Sequence, residues 1–374
     1  MRKLTTLSLS LLFVACNGGD PTAAPAVAAG KPFIATPIAT FDEPWAMAFL
    51  PDGHMLVTEK PGRLWLVSAD GKTRTPVSGT PMVAYGGQGG LADVVLHPDF
   101  ANTRYIYLSF AEPGPGGAKG GAVARARLVL ANGAAGLEGL QVIWRQEPKV
   151  TGDGHFSGRI AFSPDGYMFI TSGERQKFTP AQNMGQNLGK VIRLSDAGGI
   201  PDTNPYYDTT RIKAQAWSAG HRNLLGIAFA PDGALYEVEM GPRGGDEFNR
   251  IEKGANYGWP VVSNGDNYDG SPIPDHVTRP DYKPPLVSWN PVISPSSLII
   301  YSGAMFPAWK GNALIGGLSS KSLVRVSFDG SQAREAERFA MGKRIREVEQ
   351  GPDGAVWLLE DGESGRLLRL TPAK

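Results

Sequence analysis

A turn motif that recurs along the chain constrains the fold more than any other feature. A Pro-Asp-Gly turn, or a near variant of it, stands in similar surroundings six times. The copies are FLPDGHMLVTE (49–59), LHPDF (96–100), FSPDGYMFITS (162–172), FAPDGALYEVE (229–239), MFPAWKGNALIGG (305–317) and QGPDGAVWLLE (350–360). In such a turn Pro fixes φ, Asp can bond the backbone ahead and Gly supplies a positive φ. Because an alternating apolar run follows each full copy, the motif predicts a β-hairpin.

The spacing of these hairpins favours a closed ring of sheets. Successive copies lie 47, 66, 67, 76 and 45 residues apart, and a minimal four-stranded blade takes roughly 40–45 residues. We therefore predict an all-β, six-bladed β-propeller with inserted loops that form a site on one face. A β-sandwich with ordinary hairpins is the alternative. We expect a strand near Phe33–Thr40 to close the ring beside strands near Leu367–Leu370, because closure removes an exposed sheet edge.

The N-terminal residues are typical of an export signal. Met1, Arg2 and Lys3 give a charged start, and the apolar run that follows, about 11 residues, is too short for a bilayer of ~30 Å. Residues 1–16 are predicted to be a signal peptide, 17–32 a flexible linker and 33–374 the propeller domain. Cys16 lies where bacterial lipoproteins carry their lipid, so we expect a periplasmic protein whose membrane contact is this anchor. Cleavage to a soluble periplasmic protein is the alternative.

Composition narrows the function classes. The chain has 48 Gly and 30 Pro among 374 residues, which suits many short strands joined by tight turns. Its formal net charge is +1, so nothing indicates nucleic-acid binding or general attraction to anionic membranes.

Polar loops interrupt the strand-like runs at several points. They read GGQGGL (86–91), GDGHFSGRI (152–160), AGHRNL (219–224), EVEMGPRGGDEFNRIEKGANYGWP (237–260) and KRIRE (343–347). The fourth offers carboxylates and carbonyls together, the oxygen ligands that calcium prefers, although a surface loop could hold the same acids. His155 should project from the loop that feeds an innermost strand. Arg344 and Arg346 should share one face by the two-residue period of a strand, as a solvated basic edge also would.

Taken in this order, the motifs resemble those of soluble aldose sugar dehydrogenases of the glucose/sorbosone dehydrogenase family. Those enzymes depend on pyrroloquinoline quinone (PQQ) and calcium. The match runs from about Pro44 to Leu370. GPRGGDE, NYGWP, GHRN and GGQGGL are moderate signals one by one, and strong ones in this order and spacing.

The resemblance implies roles for individual residues. His155 would be the general base, since neutral imidazole can accept the hydroxyl proton, and Arg222 would stabilise negative charge on the quinone. His221 would shape its loop, and we assign no role to His276. The implied cofactor contacts are Gln88, His155, Arg222, Asn223, Trp289 as a stacking candidate, Arg344 and Arg346.

One expected cofactor contact departs from the family pattern. The family carries a cofactor-binding lysine where this chain has Ser319, and Lys321 stands two residues further on. Either Lys321 takes over the contact through a local shift, or one contact is absent.

The resemblance also implies two calcium ions. The catalytic ion would use the backbone carbonyls of Gly241 and Pro242 together with PQQ. A structural ion would use Glu247 and the carbonyl of Tyr257, with Asp266 as a further candidate ligand.

Together these inferences predict an enzyme that oxidises the C1 hydroxyl of aldose sugars to lactones. Electrons would pass through PQQ to a quinone, a cytochrome or a dye. A calcium-dependent propeller lactonase and a non-catalytic surface propeller are the alternatives. The sequence leaves the preferred sugar and the oligomeric state open.

Overall fold

The computed structural model describes residues 30–373, and strands dominate that range. Within it lie 26 strands, four short 3-10 turns and the helices Phe100–Thr103 and Arg211–Ala214. No helix of these residues combines the length and the hydrophobicity that a membrane crossing requires. The all-β prediction is confirmed. The predicted signal peptide, Cys16 and most of the predicted linker lie outside the described residues.

The strands are short and follow one another closely. In the first part of the described chain they are β1 (Phe33–Phe41), β2 (Pro44–Phe49), β3 (Met55–Glu59), β4 (Arg63–Val67), β5 (Arg74–Ser78), β6 (Leu91–Leu96), β7 (Tyr105–Pro113), β8 (Lys119–Ala131), β9 (Ala134–Arg145), β10 (Ser157–Phe162), β11 (Met168–Ser172), β12 (Lys190–Leu194) and β13 (Ala216–Ala219). The rest are β14 (Leu224–Phe229), β15 (Leu235–Glu239), β16 (Arg243–Gly244), β17 (Asp246–Ile251), β18 (Gly265–Asp266), β19 (Val287–Trp289), β20 (Pro295–Ile300), β21 (Ala313–Gly317), β22 (Ser322–Asp329), β23 (Gln332–Ala340), β24 (Ile345–Gln350), β25 (Val356–Glu360) and β26 (Gly365–Pro372).

Units of four strands account for most of the described sheet structure. Four sheets have the strand orders β10-β11-β12-β13, β14-β15-β17-β19, β20-β21-β22-β23 and β1-β26-β25-β24. A parallel pair, β5 and β9, joins the units β2–β5 and β6–β9 into one eight-stranded sheet. A two-stranded ribbon, β16 with β18, stands apart from these sheets.

The first strands of the six units surround a channel. Strand β2 packs beside β6, β6 beside β10, β10 beside β14, β14 beside β20, β20 beside β24, and β24 beside β2. All six strands line a cavity of about 500 Å³ at one end of this channel.

The Pro-Asp-Gly turns join the first strand of a unit to the second, as predicted. In the turn between β2 and β3, the Gly53 N–H donates to the Leu50 carbonyl at 2.9 Å, and φ of Gly53 is 87°. The Asp52 carboxylate accepts a hydrogen bond from the His54 N–H at 3.0 Å. Because these turns occupy one end of the channel, the longer loops lead into the first strands at the other end.

The ring closes between the two ends of the described chain. Strand β1 pairs antiparallel with β26, with Ala35 opposite Leu370 and Pro37 opposite Leu368. The predicted pairing of these two segments is therefore confirmed. It places the N-terminal strand on the outer edge of the last sheet.

Apolar side chains fill the space between neighbouring sheets. Between the β20–β23 sheet and the last sheet, one cluster includes Leu314, Leu323, Val348, Leu358 and Leu368, all at most 3% exposed. Full burial of such a side chain contributes about 1.5–3 kcal/mol. This packing makes neighbouring sheets into one body around the channel.

One buried arginine reaches all six first strands. Arg159, in β10, is 4% exposed, and its Nε donates to the Leu225 carbonyl of β14 at 2.8 Å. Its Nη2 donates to the Ser296 carbonyl of β20 at 2.5 Å. Further contacts reach Asp93 of β6 at 3.3 Å, Glu347 of β24 at 2.5 Å and the ring of Trp45 of β2 at 4.0 Å.

Arg159 also compensates two buried acids. Burial raises the pKa of Asp93 and of Glu347, and the positive charge of Arg159 opposes both shifts. The Arg159 side chain lines the cavity of about 500 Å³, which lies at the end of the channel with the hairpin turns and is called the hairpin-end cavity. Trp45, on which the guanidinium stacks, lines a second cavity at the other end of the channel. The guanidinium therefore separates the two cavities.

We predict that Arg159→Met destabilises the protein by about 3–5 kcal/mol, because it leaves Asp93 and Glu347 buried without a cation. Denaturant unfolding followed by tryptophan fluorescence measures the loss. Arg127→Met is the control, since Arg127 is exposed on β8 and its change should stay within about 0.5 kcal/mol. Equal stabilities of the two variants would contradict the role given to Arg159.

Candidate functional site

The second cavity lies where the first strands begin and has a volume of about 320 Å³. That volume falls within the range of small-molecule sites. Its polar and aromatic lining includes Glu43, Trp45, Lys60, Gln88, Ser157, Ser294, Arg344, Arg346 and Asp361. Because the first strands all start at this end, loops from several units meet here.

His155 lies beside this cavity, two residues before β10. It is 6% exposed, and its Nδ1 lies 2.5 Å from Glu174 Oε1. Its backbone N–H donates to Gln88 Oε1 at 2.7 Å. With Nδ1–H donated to the carboxylate, Nε2 keeps its lone pair, and no described residue hydrogen-bonds Nε2.

The surroundings favour a neutral imidazole. Burial lowers the pKa of His155, the hydrogen bond to Glu174 opposes this shift, and the charge of Arg222 lowers the pKa further. Although burial acts to raise the pKa of Glu174, its bonds from His155 and from the Phe178 N–H hold it below the ordinary value. The pair is thus a neutral histidine beside an ionised carboxylate, an arrangement suited to accepting a proton.

Arg222 stands just before β14 and is 5% exposed. Its Nη1 donates to the Met240 carbonyl at 3.0 Å and its Nη2 to the Tyr268 hydroxyl at 3.2 Å. Its Nε is buried and has no partner among the described residues. A fixed cation with a free N–H can stabilise an anionic oxygen of a ligand.

The lining of the cavity includes three basic side chains, Lys60, Arg344 and Arg346. Arg344 Nε and Arg346 Nη2 each lie 2.7 Å from a carboxylate oxygen of Asp361, so the two arginines share one face as predicted. Lys60 Nζ lies 3.2 Å from Glu43 Oε1 and donates to the Gly87 carbonyl at 3.0 Å. Three cations therefore line this cavity against two carboxylates.

Asn223 is buried in a second layer behind the cavity lining. Its Oδ1 accepts a hydrogen bond from the Ser157 hydroxyl at 3.3 Å. Ser157 itself lines the cavity, whereas Asn223 does not, so Asn223 can orient the serine hydroxyl.

The structure does not bring Trp289 to the cavity. Trp289 lies on the outer strand β19, packs in the core beside Phe248, and donates its indole N–H to Glu335 at 2.6 Å. Trp45 is the tryptophan among the lining residues. Ser319 and Lys321 are both exposed and absent from this lining, whereas Lys60 provides a lysine there.

A smaller cavity, of about 10 Å³, adjoins Arg222. Glu239, Gly241, Glu247 and Tyr257 line it. Its volume suits one water-sized particle, and its carboxylate and carbonyl oxygens are ligands of the calcium type. Of the five predicted metal ligands, Gly241, Glu247 and Tyr257 meet here.

Two predicted ligands lie elsewhere. Asp266 is exposed on the ribbon strand β18, where it pairs with Arg243. Pro242 is buried and, like Asp266, is absent from the lining of the small cavity.

Buried acids surround the small cavity. Glu239 and Glu247 face each other across β15 and β17, and His221 Nδ1 lies 3.1 Å from Glu239 and 4.0 Å from Glu237. Burial raises the pKa of Glu237 and Glu247 well above the ordinary value, and repulsion from Glu239 adds to both shifts. Glu237 Oε2 has no hydrogen-bond partner among the described residues. This donor set fits a hard cation.

Four residues at these cavities were not found from the sequence: Lys60, Glu174, Glu239 and His276. Glu174 could have been found from the β10–β11 hairpin, because the pairing of Ser157 with Ser172, continued by two residues, sets it opposite His155. His276 donates from Nε2 to the Tyr257 carbonyl at 3.0 Å, a contact across a long loop that left no local signal.

Comparisons with known proteins place the chain among sugar dehydrogenases. The family model described as Glucose / Sorbosone dehydrogenase matches residues 41–369. Aldose sugar dehydrogenase YliI of Escherichia coli (strain K12) is 41% identical over 337 residues, which cover 88% of this chain and 90% of that protein. The apo-form crystal structure of the soluble aldose sugar dehydrogenase from Escherichia coli has a TM-score of 0.85 at 39% identity, covering 91% of this chain and 100% of that one. A PQQ-bound aldose sugar dehydrogenase from Streptomyces coelicolor has a TM-score of 0.74 at 26% identity, covering 93% and 99%.

We predict that Glu174→Gln lowers the pKa of His155 further, because the carboxylate that favours the imidazolium is lost. An NMR titration of the His155 ring protons measures this shift. Glu138→Gln, at an exposed position on β9, should leave the titration unchanged. A higher pKa in Glu174→Gln, or an unchanged one, would contradict the pairing.

Proposed function

This chain belongs to the glucose/sorbosone dehydrogenase family, and we propose that it oxidises the C1 hydroxyl of aldose sugars to lactones with PQQ and calcium. As a member of this family it is a sugar dehydrogenase. One observation carries the finer proposal. A histidine bound to a carboxylate and an arginine with a free N–H lie beside a cavity that three basic side chains line.

The second cavity, of about 320 Å³, fits a tricarboxylate quinone. Lys60, Arg344 and Arg346 offer fixed cations, and the planar arginines can bind carboxylates through paired hydrogen bonds. Gln88 and Ser157 add polar groups. The relative from Streptomyces coelicolor is described in a PQQ-bound form, which supports this assignment. When bound, PQQ would supply the two-electron acceptor that side chains cannot provide.

His155 would act as the general base at the sugar C1 hydroxyl. Its Nε2 would accept the proton while Nδ1–H continues to donate a hydrogen bond to Glu174. The Glu174 carboxylate would thus orient the ring and stabilise the imidazolium that forms. Arg222 would direct its free Nε–H at an oxygen that gains negative charge. Its bond to the Met240 carbonyl fixes the guanidinium in place.

The small cavity would hold a calcium ion. Glu247 and the carbonyl of Tyr257 would bind it, and Glu239 would add charge from the facing strand. We also propose that the backbone carbonyls of Gly241 and Pro242 bind the catalytic calcium ion together with PQQ. A bound cation would compensate the buried acids around this cavity.

We further propose that the six four-strand units are the blades of one propeller. The contacts between successive first strands, the six turn motifs and the closure of β1 on β26 support this arrangement. The site would then lie on the face opposite the Pro-Asp-Gly turns.

For the cellular setting, we propose export to the periplasm and attachment through Cys16. The charged start, the short apolar run and the position of Cys16 support export. Electrons would pass to a quinone or a cytochrome, which a protein near the membrane could reach.

Reconstitution tests the reaction. Protein lacking residues 1–16 should reduce an electron-accepting dye in the presence of glucose only when PQQ and calcium are both added. His155→Ala should lower turnover by about 100-fold or more, because the general base is lost, and should still bind PQQ. His54→Ala, at a hairpin turn, is the control. A failure of the wild-type protein to bind PQQ would contradict the proposal, and lactone hydrolysis by quinone-free protein would favour a lactonase.

Calcium should stabilise the folded protein. At a free concentration of about 100 times Kd, one ion raises the unfolding free energy by about 2.7 kcal/mol, which a thermal melt detects. Glu247→Gln should lose most of this response, and Asp266→Asn, exposed on the ribbon, should keep it. A melting temperature independent of calcium in the wild-type protein would contradict the proposed ion.

A further inference from the structure

The loop that carries His155 has a strained backbone. His155 has φ of 50° and Ser157 has φ of 58°, in the left-handed region that residues other than glycine seldom adopt. The neighbouring chain is so close that a Cβ atom on Gly173 would meet the His155 carbonyl oxygen at 2.1 Å. Such a conformation persists where the surrounding structure enforces it. The position of the imidazole therefore depends on contacts from outside the loop.

Arg175 supplies such contacts on both sides of His155. Its side chain is fully buried, at 0% exposure. Its Nη2 donates to the Gly152 carbonyl at 2.5 Å, and its Cζ lies 3.6 Å from the centre of the Phe156 ring. Its backbone N–H donates to the His155 carbonyl at 3.3 Å. One residue thus contacts the loop before, at and after the histidine.

The Arg175 side chain is costly for stability. Its Nε and Nη1 are buried and have no hydrogen-bond partner among the described residues, and unpaired buried donors and buried charges both destabilise a fold. Burial lowers the pKa of Arg175 to about 10, although the charges of Asp153 and Glu174 oppose this shift, so the side chain is a cation at neutral pH. A methionine could pack against Phe156 without these costs. The guanidinium therefore has a use other than stability.

We propose that Arg175 is a positioning residue for the general base, because it holds residues 152–157 in the strained conformation that orients the His155 imidazole. The inference rests on the proposed function, since it concerns the base of that reaction. Arg175 is absent from the lining of the second cavity, so it acts through His155 rather than on a ligand.

The charge of Arg175 adds to this role. Burial has the largest effect on His155 and lowers its pKa, the hydrogen bond and charge of Glu174 raise it, and the positive charges of Arg222 and Arg175 lower it. Since a general base must be neutral before it accepts a proton, a buried cation beside the loop favours the active form of the imidazole.

Arg175→Met tests the proposal in protein without PQQ. An NMR titration of the His155 ring protons should give a higher pKa than in the wild-type protein, because a nearby positive charge is lost and the loop is less firmly held. Arg175→Lys keeps the charge and should stay closer to the wild-type titration. Arg175→Gln keeps a donor for the Gly152 carbonyl and should also raise the pKa, so it replaces the methionine variant if that variant does not fold.

Arg193→Met is the matched control. Arg193, in β12, is 6% exposed, its Cζ lies 3.8 Å from the centre of the Tyr167 ring, and its Nη1 donates to the Thr203 hydroxyl at 2.8 Å. Its loss should lower the melting temperature and leave the His155 titration unchanged. Arg175→Met should lower the melting temperature less than Arg193→Met does, because it also removes the buried unpaired donors.

Kinetics with PQQ and calcium give a second measurement. Arg175→Met should lower kcat for glucose roughly 10- to 100-fold, the effect of a displaced catalytic group, and leave KM and the affinity for PQQ unchanged. The acid limb of the pH profile of kcat/KM should move to higher pH, because more of the base is protonated at a given pH.

Two outcomes would overturn the inference. An unchanged His155 titration in Arg175→Met, with or without a lower melting temperature, would leave Arg175 a structural role at most. A higher KM or weaker PQQ binding with unchanged kcat would assign Arg175 to ligand binding. Absence of glucose turnover in the wild-type protein, by contrast, would overturn the proposed function and leave the result of the titration standing.

Discussion

The guanidinium of Arg159 sits where all six first strands converge, and it satisfies carbonyls and carboxylates that would otherwise be buried without a partner. A charge at the centre of a protein costs several kcal/mol unless it is paired, so Asp93 and Glu347 and the arginine require one another. The Arg159 guanidinium, stacked on Trp45, lies between the two cavities of the channel. A ligand in the second cavity would therefore contact Trp45, with Arg159 stacked behind it.

The direction of the first strands determines at which end of the channel the candidate site residues lie. Compact turns occupy one end of each strand, so longer segments with room for function lead into the other end. His155, Arg222 and Arg344 each stand just before a first strand. Glu174 follows β11, the strand paired with β10, which His155 precedes. Its two carboxylate oxygens bond the His155 ring and the Phe178 N–H. One carboxylate therefore positions both the histidine and the loop that carries Phe178.

Features that depend on local patterns could be predicted from the sequence, and those that depend on distant register could not. Turn chemistry predicts the hairpins, and the two-residue period predicts the shared face of Arg344 and Arg346. The position of Trp289 depends on how a long insertion returns to the outer edge of a sheet, so its predicted stacking role was not supported. Lys60 follows an ordinary strand, and only its contact with Gly87, in the loop before β6, brings it to the cavity.

We infer that PQQ binds in the second cavity, where the first strands begin, rather than in the larger cavity at the hairpin end. Calorimetric titration of PQQ in the presence of calcium tests it with one variant from each cavity. We expect Arg344→Gln to weaken binding about tenfold or more, because a charge-assisted hydrogen bond is lost. Glu349→Gln, in the hairpin-end cavity, should bind as the wild-type protein does. Undiminished affinity in Arg344→Gln together with altered affinity in Glu349→Gln would contradict the account.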